Sequence, residues 1–260
     1  MPKKEVRKFN LLFFLYPILA AILSFAIKAN YFFSIILFFG VPSLILSFKN
    51  KKLIKKAALF SLILGFPMTL ILDHMAHRAK AWFILQSVLP FRLFGTVTGE
   101  SILWGFLIVY FIVMYYEYFL EHKLEDKLYA PNLKYLMMLF FGLFLLFLTV
   151  LITNPTLLCV DYFYLKAGLL LGLLPILSVL FQFPNLLTKF FKTGTYFFYL
   201  TFIMEITALK LGQWTFPGEQ FLGWVTLFGV AFPFEELFFW MILGAIAILS
   251  YYEFFDDDRK

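Results

Sequence analysis

The sequence predicts an all-α integral membrane protein of about eight transmembrane helices, arranged as two parallel four-helix repeats with short re-entrant or interfacial segments. Three observations predict it. Of the 260 residues, 62% are hydrophobic and only 15% charged, a balance that leaves too little polar surface to cover a water-soluble particle. Apolar runs long enough to cross the ~30 Å hydrocarbon core of a bilayer recur along the whole chain. Finally, with eight crossings and a cytoplasmic N-terminus, 16 of the 22 Lys and Arg fall on the inner side, as the positive-inside rule requires. The net charge of +6 is therefore explained by flanking lysines, without nucleic acid as a partner.

In order, the expected spans are Leu11–Ile27, Phe32–Phe48, Ala57–Leu72, Ile102–Phe119, Tyr135–Ile152, Tyr162–Phe183, Tyr196–Leu211 and Phe234–Tyr251. The basic segment before the first run carries no small-residue cleavage pattern, so it reads as a retained span. Between the third and fourth spans, Ala81–Val97 contains Gln86, Pro90 and Arg92; between the last two, Phe221–Phe232 is too short to cross. Both read as re-entrant or interfacial. The apolar run from Phe221 to Tyr251 would make a helix of about 45 Å. Pro233 breaks it, because proline lacks the backbone donor and pushes the residue before it out of the helical region.

Lining up the polar residues reveals a repeat. Asp73 precedes Trp82 by the same interval as Glu205 precedes Trp214, and the order Glu100, Trp104, Tyr116-Glu117 matches Glu236, Trp240, Tyr252-Glu253 in spacing. The units are then 1–122 and 135–260, joined by a cytoplasmic linker at 123–134. An even number of spans per unit makes the repeats parallel and places a site between them.

The chemistry-bearing residues are acidic: Asp73, Glu100, Glu205 and the pair Glu235-Glu236. Ionisable groups at membrane depth are costly unless they face protein or a polar cavity, so a functional site is the default reading. A carboxyl withdrawn from water beside a second carboxylate holds its proton more tightly, which suits one member to act as general acid and another to accept a proton later. Glu235 also suits a structural role, near the third position of the helix that Pro233 starts. Asp73 ends its expected span, where solvation accounts for it equally well. Glu117 and Glu253 follow tyrosines at helix ends and read as interfacial anchors. His74 and His77, in the loop expected after Asp73, admit a metal only in the first repeat, since Ile206 and Leu209 stand at the matching places in the second. Trp82, Trp104, Trp214, Trp240 and Phe239 are candidate walls for an apolar or cationic ligand; the tryptophans also suit interfacial anchoring.

No Gly-x-Gly-x-x-Gly, Walker, His-Glu-x-x-His or Gly-x-Ser-x-Gly pattern occurs, so nucleotide, redox and hydrolytic chemistry lack an anchor and no cofactor is expected. The single cysteine, Cys159, rules out an intrachain disulfide.

The ordered set Glu205, Gly212-x-Trp214-x-Phe216, Gly223, Pro233-x-Glu235-Glu236-x-x-Phe239 and Tyr252-Glu253 resembles the lycopene cyclase domain, the integral-membrane carotenoid cyclase type, in its tandem fused form. The first repeat is similar but degenerate, with Gly99 where the first glutamate of the pair is expected. The resemblance implies redox-neutral ring closure at the ends of a linear carotenoid: an acid protonates the terminal alkene, the next alkene attacks the cation, and a base removes a proton. In that reading Glu236 is the acid, Glu235 or Glu205 the base, and Glu100 and Asp73 shape the site. The substrate is a long apolar polyene taken from the lipid, and the location an integral position, expected in the plasma membrane with both termini cytoplasmic. The alternative is a transporter or carotenoid-binding protein without catalysis, since parallel repeats around a midplane acidic pair also describe proton-coupled carriers. Intramembrane glutamate proteases share the Glu-Glu pair, but Trp240 stands where they carry arginine.

Overall fold

The computed structural model describes residues 3–121 and 133–255. It is helical with little sheet: α1 (Lys3–Ala26), α2 (Tyr31–Lys49), α3 (Lys51–Arg78), α4 (Gly99–Glu121), α5 (Leu133–Thr153), α6 (Phe163–Gln182), α7 (Leu187–Lys210), α8 (Glu236–Ile242) and α9 (Gly244–Phe255). Six of these, α1 to α6, are long and apolar enough to cross a membrane, and the pair α8–α9, bent by 44°, makes a seventh when taken as one broken span. The 24-residue α7 has the length, but its threonines and lysines dilute its apolar character. Leu12, Phe14 and Ile22 on α1 and Met138, Phe141 and Leu146 on α5 are exposed, the surface that hydrocarbon tails cover. The linker expected at 123–134 falls mostly on 122–132, outside the described residues.

Two boundaries differ from expectation in ways that matter. The third helix does not stop at Leu72 but runs on through Arg78. Asp73 therefore sits inside a helix and is buried, as is His74; neither is in a solvated loop. Neither Ala81–Val97 nor Phe221–Phe232 forms a helix. Each contains a two-stranded antiparallel hairpin, β2 (Arg92–Leu93) with β3 (Val97–Thr98), and β5 (Trp224–Leu227) with β6 (Val230–Pro233). Phe-Gly turns both. Phe94 and Gly95 take φ of 53° and 75°, and Phe228 and Gly229 take 52° and 78°. In β5–β6 these two residues alone fill the loop between the paired Leu227 and Val230, the positive-φ turn whose twist matches antiparallel strands. A third antiparallel pair, β1 (Phe83–Ile84) with β4 (Trp214–Thr215), ties the two halves of the chain together through Phe83↔Thr215 and Ile84↔Trp214.

Proline shapes the helices near the centre. In α2, α3 and α6 a widened π-type turn, Ile36–Gly40, Ser61–Gly65 or Gly168–Leu173, immediately precedes the turn that carries Pro42, Pro67 or Pro175. The proline ring has no N–H and clashes with the carbonyl four residues back, so the preceding turn opens. Phe39, Leu64, Gly65, Gly168 and Leu171 from these turns face the cavity described below. Where α3 meets α4, glycine is required: a Cβ on Gly105 would lie 1.7 Å from Thr69 Oγ1, and one on Gly65 would lie 2.6 Å from the Gly105 carbonyl oxygen. Such close backbone approach through small residues is how helices gain contact in lipid, where burial from water contributes nothing.

At the other ends of α4 and α9 the anchoring expected of Glu117 and Glu253 gives way to a buried polar knot. The Tyr116 hydroxyl donates to Glu253 at 2.9 Å, and reciprocally the Tyr252 hydroxyl donates to Glu117. Lys56 pairs with Glu117 at 3.1 Å, and Lys189 with Glu121 at 2.5 Å. Tyr116, Glu117, Tyr252 and Glu253 are all buried, because α4 and α9 pack against each other here and exclude solvent.

Candidate functional site

A cavity of about 220 Å³ lies at the centre of the bundle. Three helices each turn one acid toward it: Asp73 from α3, Glu205 from α7 and Glu236 from the first turn of α8. Trp82, Trp104, Trp214, Trp240 and Phe239 complete the expected wall. Trp82 holds the aromatic side together, with ring centroids 6.3 Å from Trp104 and 6.1 Å from Trp214, and Tyr31 closes the group at 5.5 Å from Trp214. The fifth tryptophan, Trp224, is on β5 and half exposed.

The polar groups in this apolar shell have few partners. Glu205 Oε1 accepts the Trp214 indole N–H at 3.0 Å. Tyr164, near the start of α6, lines the cavity together with Glu236, Glu205 and Asp73. Asp73 stands beside Ser101, while its Oδ2, the Tyr31 hydroxyl and the Trp240 indole nitrogen are buried without a hydrogen-bond partner. Among the described residues no lysine or arginine forms an ion pair with Asp73, Glu205 or Glu236. Arg92 instead donates to the Thr96 and Ile84 carbonyl oxygens. Buried polar atoms left open in this way are uncommon in folded proteins.

Glu100 and Glu235 are not in the cavity. Both are fully buried, but each holds the loop over its helix. Glu100 accepts the Val88 and Leu89 amides at 2.5 and 2.9 Å and the Ser87 hydroxyl at 2.7 Å. Glu235 accepts the Leu222 amide at 2.7 Å, which also replaces the reach-back to its own helix cap expected for it. The reason is positional. Both carboxyls sit at the start of their helix, where the segment that leads into the hairpin presents amides that need acceptors. Ser101 lies beside Asp73 and Tyr31, and Glu236 beside Glu205 and Tyr164. Gly99, where a first glutamate was expected, is pressed by the hairpin: a Cβ there would lie 2.5 Å from Leu89 Cδ1.

The two histidines are engaged elsewhere. His74 Nδ1 is 2.7 Å from Thr96 Oγ1, and the His77 ring stacks on Phe83 at 4.1 Å. Among the described residues no three His, Cys, Asp or Glu side chains are grouped to hold a metal ion. Tyr164 and Ser101 are site residues that sequence reasoning missed. Tyr31 and Tyr164 open α2 and α6, so their position beside the spans' outer ends was the available signal.

Comparison with family models, curated proteins and solved structures finds no match to this chain.

Proposed function

We propose that the protein is a carotenoid-type end-group cyclase that closes a ring at the tip of a linear polyene by acid and base chemistry through a carbocation. The observation that carries the reading is the cavity: three carboxyls, without a cationic partner among the described residues, inside a wall of indole and phenyl rings. Its volume of about 220 Å³ is below the ~300 Å³ at which pockets begin to enclose a drug-sized ligand. A long polyene can place only its end there, with the rest in neighbouring lipid.

The residues present supply each step. Glu236, in its protonated form, donates to the terminal alkene; as the proton leaves its oxygen, the C–H bond forms and the cation appears at the adjacent carbon. The next alkene attacks that cation and closes the ring. Glu205, held by the Trp214 N–H, removes a proton from the ring and restores a double bond. Aromatic faces stabilise the cation and, with the surrounding apolar side chains, keep out the water that would trap it as an alcohol. Asp73 and Trp82 shape the opposite wall. Glu100 and Glu235 position the hairpins and do not touch the substrate.

We read the chain as eight crossings in two parallel repeats, in the plasma membrane with both termini cytoplasmic. The matching order of helices, the widened turn shared by α2 and α6 and the two Phe-Gly hairpins support the repeat. A single Glu205–Glu236 pair implies one active centre.

The test is expression in cells that accumulate lycopene, followed by chromatography and mass spectrometry of the pigment. Conversion to a product of identical mass with one or two rings is the expected result. Unchanged pigment with proton-dependent polyene movement would favour the carrier instead.

A further inference from the structure

The geometry points to Tyr164 as a proton relay that returns to Glu236 the proton taken up by Glu205, so that the active centre recycles one proton without exchange with bulk water. This inference rests on the cyclase reading. Cyclisation places one proton on the substrate and removes one from it, so after each turnover Glu236 is ionised and Glu205 carries a proton. Nothing is gained or lost overall, but the two carboxyls have exchanged states and must be reset. Tyr164 is placed for this. It lines the same cavity as both Glu236 and Glu205 and is 5% exposed. In the reset its O–H proton passes to the Glu236 carboxylate as its oxygen takes the proton from Glu205, leaving tyrosine, acid and base as they began.

Its surroundings favour an internal route. The ring is hemmed by Trp240, Phe216 and Phe221, with centroids 5.9, 6.3 and 6.1 Å away. The carboxyls and hydroxyls that share the cavity with it are those of Glu205, Glu236, Asp73, Tyr31, Thr69, Thr201 and Tyr251, and the described ion pairs lie at the Lys56 and Lys189 end of the bundle. The first half has no equivalent circuit: Tyr31 stands beside Ser101, and its hydroxyl is unpartnered.

The experiment is cyclisation in heavy water by the purified full chain in lipid nanodiscs, reading deuterium per ring by mass spectrometry over many turnovers. Wild-type protein is expected to incorporate well under one deuterium per ring. Tyr164→Phe is expected to lose ten- to hundredfold in kcat with KM unchanged, and its residual product to carry one deuterium per ring. The isotope content is a ratio, so it holds even if part of the variant is misfolded. A wild type that incorporates one solvent deuterium per ring, or a Tyr164→Phe variant with wild-type kcat and isotope content, overturns the relay and leaves the cyclase reading standing. A wild type that cyclises no polyene overturns both.

Discussion

Truncating Glu100 tests the separation of loop-holding from cavity-facing acids. Its carboxylate accepts the amides of Val88 and Leu89 and the hydroxyl of Ser87, at 2.5 to 2.9 Å, and it is fully buried. Hydrogen bonds to a charged group contribute about 1.5–3 kcal/mol each, and a buried donor left unmatched costs about 1–3 kcal/mol. The three share one acceptor and relax together, so Glu100→Ala is expected to cost about 3–5 kcal/mol, the range of a broken buried network. At roughly 2–4 °C per kcal/mol for a chain of this size, that is a fall of about 6–20 °C in the unfolding midpoint, measured by tryptophan fluorescence in detergent. Glu100→Gln retains an acceptor oxygen for the two amides and is expected to cost about 1 kcal/mol and to cyclise at near wild-type rate. If Glu100→Gln were inactive with an unchanged midpoint, or Glu100→Ala as stable as wild type, Glu100 would not be a loop clamp.

Three further outcomes follow from single contacts. Gly105→Leu must part α3 from α4 where a Cβ already meets Thr69 Oγ1. It is expected to destabilise the protein by about 1–3 kcal/mol, and displacing Thr69 and Trp104 should also lower turnover in the pigment assay. Trp214→Phe removes the donor to Glu205 while keeping an aromatic wall. Turnover should fall about tenfold or more with little change in polyene binding, measured by titration of the polyene's visible absorbance. Tyr116→Phe and Tyr252→Phe each break one arm of the reciprocal knot. A double-mutant cycle on thermal unfolding should show non-additivity of about 0.5 kcal/mol or more, with the pigment ratio unchanged.

The membrane class and the break at Pro233 were legible because composition and helix-breaking are local properties. Site residues were legible in part. Glu236, Glu205, Asp73 and four tryptophans were named from their place in apolar runs, their spacing and the resemblance, and the cavity gathers them. Glu100 and Glu235 were misplaced for one reason: adjacent residues at a helix start point about 100° apart, and spacing does not record which of them faces the loop. Asp73 was read as a helix end because Leu72 closes the apolar run, although the helix continues through polar residues that pack against α4 and the hairpins. The two loops expected to be re-entrant or interfacial form no helix, and their strands, only two to four residues long, leave no periodic trace. Tyr164 was passed over because a tyrosine at a span end is normally an interfacial anchor.

The neighbours Glu235 and Glu236 provide the most direct measurement, the turnover of purified Glu235→Gln and Glu236→Gln proteins per folded molecule, on the same polyene in nanodiscs. Removing a general acid costs about 10²–10⁴ in rate. The account predicts that loss for Glu236→Gln with its unfolding midpoint intact, and near wild-type turnover for Glu235→Gln with a lowered midpoint. The reverse pattern would place the chemistry beside Leu222 rather than in the cavity and contradict the account.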